Sequence, residues 1–399
     1  MRISDLTLTT QEGTIRAEAK FVWEDNDRPP FTLFVQTREE FEDLLDPDPN
    51  SFLRAGILNA WHYGEKRIAV EGSLCPGLVN NLEGVFLLLK RWYPNDFPKK
   101  PVIEALDNYK PLLPFSDHAL SLFSGGVDSV CLLRSNRLFY PKGHPNYITA
   151  ALSVEFARTP VPNSIEFSSK VEKRLLATKP ILEDAEVKAI PVLTNIWWLN
   201  PDGYFYGQKS YGSQLITTAS FFNRGFYRGF IASSYDANFL HKPWGSHPQL
   251  DAYYSSSHFH VQHIGTEMTR IKKVEMLTNW PVGYHNIRVC QNDNTGDYNC
   301  GTCEKCIRTQ LMLEALGKLK GCRSFPKDTI DAELVQYLET YDMLYCTDQV
   351  HNEEKLFTYG NVAQLLEKRD RYDLAKPLKE ILLKLSKRHL ETIKAKVIE

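Results

Sequence analysis

An apolar run, Ala119-Leu120-Ser121-Leu122-Phe123, leads straight into Ser124-Gly125-Gly126-Val127-Asp128-Ser129 and then into the helix-compatible Val130-Cys131-Leu132-Leu133. No other stretch of the chain constrains the fold as much. A strand that ends in two glycines before a helix can turn its backbone sharply and aim several N–H groups at one point. That makes an anion nest at a helix N-terminus. The loop has neither the Gly-x-x-x-x-Gly-Lys-Ser/Thr pattern nor the Gly-x-Gly-x-x-Gly pattern, so neither of those nucleotide-binding classes accounts for it. Asp128, a carboxylate set among phosphates, makes chemical sense chiefly as a magnesium ligand.

From about 115 to 320 the same rhythm repeats. The apolar stretches 118–123, 147–156, 187–195 and 225–234 alternate with helical patterning over Lys170–Ala177 and Gln214–Phe222. This predicts an α/β unit with a parallel sheet and flanking helices, in which ligands bind at the carboxyl ends of strands near a topological switch point. Residues 1 to about 110 read as an accessory α+β domain. Strand patterning covers Thr14–Trp23, Phe31–Gln36 and Arg67–Glu71, and helical spacing opened by Pro76 covers Cys75–Trp92. That unit carries no obvious catalytic motif and either braces its neighbour or touches substrate. The proline-rich connector Tyr93–Phe115 marks the boundary. Residues 321–399 are charged with apolar residues at three- and four-residue spacing, which predicts a helical extension whose basic end is a solvated face. The length, 399 residues, suits two or three such domains.

Forty-seven Lys and Arg oppose 49 Asp and Glu for a net charge of −2, so no overall basic field exists to hold nucleic acid by its phosphates. No apolar run reaches the 18 or so residues that span a bilayer. The opening MRISDLTLTTQEG has no basic segment followed by an apolar one, so the expectation is a cytoplasmic protein in a reducing compartment, without disulfides.

The cysteines then read as metal ligands. Cys290, Cys300, Cys303 and Cys306 supply four thiolates, the number a tetrahedral structural zinc needs, around a polar, turn-rich stretch. An iron–sulfur cluster is the rival reading. Cys75, Cys131, Cys322 and Cys346 stand alone and read as small buried apolar residues. The histidines of Ser257–His263 alternate as in a strand, which favours ordinary core or surface histidines over a second metal site.

With strand and helix on either side, Ser-Gly-Gly-Val-Asp-Ser resembles the PP-loop of the N-type ATP pyrophosphatases. The four-cysteine pattern downstream narrows the resemblance to the 7-cyano-7-deazaguanine synthases of queuosine biosynthesis, over roughly residues 117–320. The resemblance implies a Rossmann-like sheet of the adenine nucleotide alpha hydrolase type and an ATP-dependent carbon–nitrogen ligase. Such an enzyme adenylates a 7-carboxy-7-deazaguanine-like carboxylate, releases pyrophosphate and lets ammonia displace AMP to give an amide or nitrile. Carried onto this chain, Ser124, Gly125, Gly126, Val127, Asp128 and Ser129 would hold the pyrophosphate of ATP, with Asp128 positioning magnesium and zinc on the four cysteines. The stretch 269–277, TRIKKVEML, resembles the family's Ser-Lys-x-Glu segment, which points Lys273 and Arg270 at phosphate or substrate; a solvated helix face is the alternative.

The pattern departs in the substrate segment. Where the family carries Tyr-Pro-Asp-Cys-Arg, residues 234–251 offer Trp244, Gly245, Ser246, His247 and Asp251, an aromatic to stack on a base and short polar groups to read its edge. The extra domains are absent from the short biosynthetic enzymes. They imply a larger acceptor, as in synthase-like proteins of bacterial antiviral operons that join a deazaguanine to a protein or nucleic acid, or a protein partner on either extension; a homodimer is compatible with both. An ATP-binding scaffold without turnover and sulfur transfer to tRNA are the readings from other classes.

Overall fold

The structure, a computed structural model, describes residues 1–160, 167–290, 299–340 and 349–398. Cys346 lies outside them. Ten strands form one mostly parallel sheet: β1 (Arg2–Gln11), β2 (Thr14–Val22), β3 (Phe31–Arg38), β4 (Arg67–Val70), β5 (Val102–Ala105), β6 (Ala119–Leu122), β7 (Ile148–Phe156), β8 (Lys188–Thr194), β9 (Arg228–Ala232) and β10 (His260–Ile264). Their order is β10-β9-β6-β7-β8-β3-β2-β1-β4-β5. Helices flank the sheet and three more close the chain, so the fold class is α/β with C-terminal helices.

Burial explains the two halves. All four residues of β6 are buried, as expected of a parallel strand covered on both faces. β1 and β2 pair antiparallel, and β1 is largely solvent-exposed along its length. The halves are hydrogen-bonded into one sheet where β3 meets β8 antiparallel, Val35 opposite Thr194. Thr37 Oγ1 donates to Pro191 O at 2.7 Å and Thr194 Oγ1 to Phe34 O at 2.7 Å across that seam. The connector Tyr93–Phe115 holds a strand of its own, because Val102–Ala105 can pair along one edge with β4 while the prolines lie outside the ladder.

β6 decides where a ligand sits. The chain steps from β6 to β7 to β8 on one side, then crosses to place β9 and β10 on the other, all in parallel. The strand order therefore reverses between β6 and β9, and the crevice at their carboxyl ends is the switch point where open α/β sheets bind ligands. The C-terminal helices Ala332–Thr340, Gln349–Glu367 and Tyr372–Ile398 pack on this half, with Tyr359, Val362 and Leu378 sharing a core with Ile307 and Leu311. No helix among the described residues is long and apolar enough to cross a membrane.

Candidate active site and metal centre

The turn after β6 is built as its sequence requires. Gly125 sits at φ +76°, and a Cβ there would lie 2.5 Å from Thr178 Cγ2, so only glycine fits. Its carbonyl accepts from the Arg288 amide at 2.7 Å. Gly126 caps the helix Val127–Phe139. Ser129 Oγ donates to Gly126 O at 3.1 Å, the Ser124 amide donates to Ser129 Oγ at 3.3 Å, and the Gly126 amide reaches Ser124 Oγ at 3.3 Å. The two serines hold the turn in shape, with Ser124 at the surface.

Asp128 and Lys273 meet here. Lys273 Nζ donates to Asp128 Oδ1 at 3.1 Å and to Ser233 O, in the turn after β9, at 2.7 Å. Arg270 Nη1 donates to Asp128 Oδ2 at 2.7 Å, and Arg270 Nη2 approaches Ser234 O at 3.5 Å. Both cations lie on the helix Arg270–Thr278, three residues apart and so on one face. The turns after β6 and β9 are thus tied together across the switch point. Burial pushes the Asp128 carboxyl up, but the Arg270 and Lys273 charges outweigh it and hold the group below its ordinary value. Arg270 Nε is buried without a partner among the described residues.

Two further cations that the sequence reading did not single out act on Asp128 from beyond this pair. Lys305 and Arg308, on the helix Glu304–Ala315, both act electrostatically on it. Their signal was their position within five residues of Cys303, on the helix the cysteine loop starts.

That loop is the candidate metal centre. The Sγ atoms of Cys290, Cys300, Cys303 and Cys306 all lie within 4.8 Å of one another. A tetrahedral ion about 2.3 Å from each sulfur sets neighbouring sulfurs about 3.8 Å apart. Cys300 and Cys306 stand at 3.8 Å and Cys303 and Cys306 at 3.4 Å, so the four residues fit a metal ion such as zinc. Amides of Cys300 and Cys303 point at Cys290 Sγ and Cys300 Sγ, at 3.4 and 3.2 Å, as thiolates favour. Asn299 locks the two approaching segments: its Oδ1 accepts from the amides of Val289 and Cys290, and its Nδ2 donates to Ile287 O and Ser324 O.

The expected substrate residues form a neighbouring group. Trp244 is half-buried, 5.8 Å from the Tyr235 ring and against Gly207. Gly245 is fixed by backbone pairing, its carbonyl taking the Gly212 amide at 2.7 Å. Ser246 Oγ donates to Asp251 Oδ2 at 2.8 Å, and His263 Nδ1–H donates to the same oxygen at 2.7 Å. His247 spends both ring nitrogens inside the chain, Nδ1 accepting from the Gln249 amide at 3.2 Å and Nε2–H donating to Leu240 O at 2.9 Å. Tyr211 links this group to the loop: burial pushes its phenol up to about 12, with the Asp128 and Asp251 charges adding to the shift. Tyr206, Tyr211 and Tyr235 are aromatics the sequence reading left out, since isolated tyrosines carry no spacing signal; Tyr206 packs edge-on to Tyr211 at 5.5 Å. A cavity of about 880 Å³ opens elsewhere, between Pro180, Asn286, Asn299 and Arg323. It shares no residue with the Asp128 cluster or the Trp244–Asp251 segment.

Comparison with known proteins gave no significant match to any protein family, curated protein or solved structure.

Proposed function

We propose that the chain is an ATP-dependent carbon–nitrogen ligase of the PP-loop kind, with a Rossmann-like sheet, acting on a deazaguanine-type carboxylate. One observation carries the reading: Ser124–Ser129 lies at the switch-point end of β6 with Asp128 clamped by Arg270 and Lys273. The cluster has more positive charge than Asp128 neutralises, which suits a polyphosphate. The backbone amides at the start of Val127–Phe139 would take the β- and γ-phosphates. Lys273 and Arg270 would turn from Asp128 to the phosphate oxygens, the buried Arg270 Nε offering one more donor. Asp128 so released would hold magnesium, which supplies charge neutralisation. Attack of the substrate carboxylate on the α-phosphorus expels pyrophosphate and leaves an acyl adenylate, and an amine then displaces AMP. Cys290, Cys300, Cys303 and Cys306 would hold a zinc ion with a structural role in this scheme, fixing the start of the helix that carries Lys305 and Arg308.

The test is release of AMP and pyrophosphate from ATP and magnesium, with and without 7-carboxy-7-deazaguanine, followed by mass analysis of small molecules and protein. Substrate-dependent release with free amide or nitrile supports the synthase reading. Release with added mass on a macromolecule makes the chain a conjugating enzyme, and binding of ATP with no AMP formed would sink the ligase.

A further inference from the structure

A second set of reactive groups sits at the other end of the parallel strands. Cys75 caps the N-terminus of the helix Pro76–Trp92, where the helix dipole favours a thiolate. His258 lies just before β10, and its neighbour Ser257 donates its amide to the Cys75 sulfur at 3.4 Å, which sets the His258 ring close enough to the thiol for the two to act on each other electrostatically. The His258 ring is held on its far side, its Nε2–H donating to Asp48 Oδ2 at 3.0 Å, and Ser256 Oγ lies 3.2 Å from Nδ1. Asp48 is the N-cap of the helix Pro49–His62 and also accepts from the Asn50 amide at 3.1 Å and from Ser51 Oγ at 3.2 Å. Nucleophile, base and orienting acid thus come together in the order a hydrolytic triad uses. Two of the three come from the first 110 residues and one from the second half.

The fourth member points to a ligand. Arg54 is 1 % exposed, donates through Nε to Tyr254 O at 2.8 Å, and has Nη1 and Nη2 without a partner among the described residues. Its charge acts on Asp48, Cys75 and His258 alike. A buried guanidinium with two open N–H faces costs free energy unless an anion is to fill them. The segment 110–113 runs alongside: Ser257 Oγ, 3.3 Å from Cys75 Sγ, donates to Leu112 O at 2.6 Å, and the Lys110 amide donates to Leu74 O at 3.0 Å. That segment reaches solvent, with Leu113 83 % exposed.

We propose that Cys75, His258 and Asp48 form a second catalytic site that transfers the acyl group of an anionic amide or ester through a thioester on Cys75, with Arg54 holding the substrate's carboxylate. The thiolate attacks the carbonyl carbon, the C–N or C–O bond breaks, and His258 gives its proton to the departing amine or alcohol. Water or a second amine then attacks the thioester, His258 takes the attacker's proton, and the thiolate leaves. No oxidant or cofactor is needed. β9 and β10 are five residues each, so roughly 16 Å of strand separates this site from the phosphate loop.

The full-length protein is treated with the anionic ester mono-4-nitrophenyl succinate and, separately, with neutral 4-nitrophenyl acetate. The expected result is a stoichiometric burst of nitrophenolate, a succinyl group on the Cys75 peptide, and at least about tenfold preference for the succinate ester. Cys75→Ser abolishes the burst with the wild-type melting temperature, and His258→Asn slows it roughly 100-fold in a protein that still melts cooperatively, at a lower temperature because Asp48 loses its partner. Arg54→Met removes the preference; if that variant does not fold, protection of wild-type Cys75 by free succinate reads the same contact. A burst that survives in Cys75→Ser, or acyl groups found only on other residues, overturns the site. Equal rates for the two esters overturn the anionic substrate class.

Discussion

The carboxyl and amino ends of the same parallel strands carry charge clusters of opposite design. At the carboxyl end Asp128 faces Arg270 and Lys273 and feels Lys305 and Arg308 beyond them, Arg308 being paired also with Glu304 and Glu354, and the Asp128 side chain keeps 21 % of its exposure. Positive charge is in excess and within reach of solvent, the condition for drawing in a polyanion. At the amino end Asp48 and Arg54 offset each other and Cys75 can pass its proton to His258 without changing the sum. All four residues there are at most 3 % exposed. A balanced, buried cluster holds no diffuse counter-ion cloud; what it controls is where one proton sits.

The largest effect should come from the metal, and it should fall on one end alone. Cys303→Ser removes one of four ligands, so metal bound per chain should drop and with it a local contribution on the order of 10 kcal/mol. Because the cysteine loop starts the helix bearing Lys305 and Arg308, ATP turnover should fail while Cys75 keeps its reactivity toward the nitrophenyl esters. Metal content by elemental analysis, together with both activities, checks this. A variant that loses its metal and retains full turnover would show the two features are not coupled.

Asp128→Ala comes next. Pyrophosphate release should fall about 1,000-fold, near 4 kcal/mol of transition-state stabilisation, in a protein that still melts cooperatively. Undiminished turnover would remove the phosphate-loop reading.

The amino end should answer to pH instead. Burial pushes the Asp48 carboxyl up, but the His258 hydrogen bond and charge outweigh it and bring it down to about 2 from an ordinary 3.8. A depressed acid stabilises the fold above its unfolded value and loses that contribution as pH falls through its folded one. The Asp48 contribution to stability should therefore drop by about 2 kcal/mol between pH 4 and pH 2. Asp46 beside it is pushed up by burial and by the Asp48 charge, so it works in the other direction, in the window above its ordinary 3.8. The measurement is thus the difference in urea midpoint between wild type and Asp48→Asn, which should shrink toward pH 2. A constant difference would mean that Asp48 carries no such linkage.

What the sequence made legible was chemistry written in neighbouring residues. Gly125-Gly126 demands a turn wherever it follows a strand, and four cysteines within 17 positions can converge by local folding alone. The helix Pro49–His62 stayed hidden for a physical reason: every residue from Asn50 to Trp61 is buried, so it shows no amphipathic period. β1 escaped because its exposed, polar residues give little strand contrast. The join of β3 to β8 and the meeting of Cys75 with His258 are long-range, the latter bringing together positions more than 180 residues apart, as the Cys75–Ser257 contact also does. Read alone, Cys75 is one more small apolar residue; only the packing of the two halves gives it a base.

The smallest effect makes the sharpest control, because it separates position from charge. Lys272 and Lys273 are adjacent and chemically identical, yet the helix turns them about 100° apart. Lys272 is exposed and pairs with Glu275 three residues on, at 2.7 Å. Lys273 is 2 % exposed and aimed at Asp128. A solvated pair at that spacing is worth a few tenths of a kcal/mol, so Lys272→Ala should change stability by less than about 0.5 kcal/mol and leave pyrophosphate release as it was. If instead Lys272→Ala depressed turnover as Lys273→Ala is expected to, the loss would follow from thinning the general positive field. The clamp on Asp128 would then not be what readies the loop for phosphate.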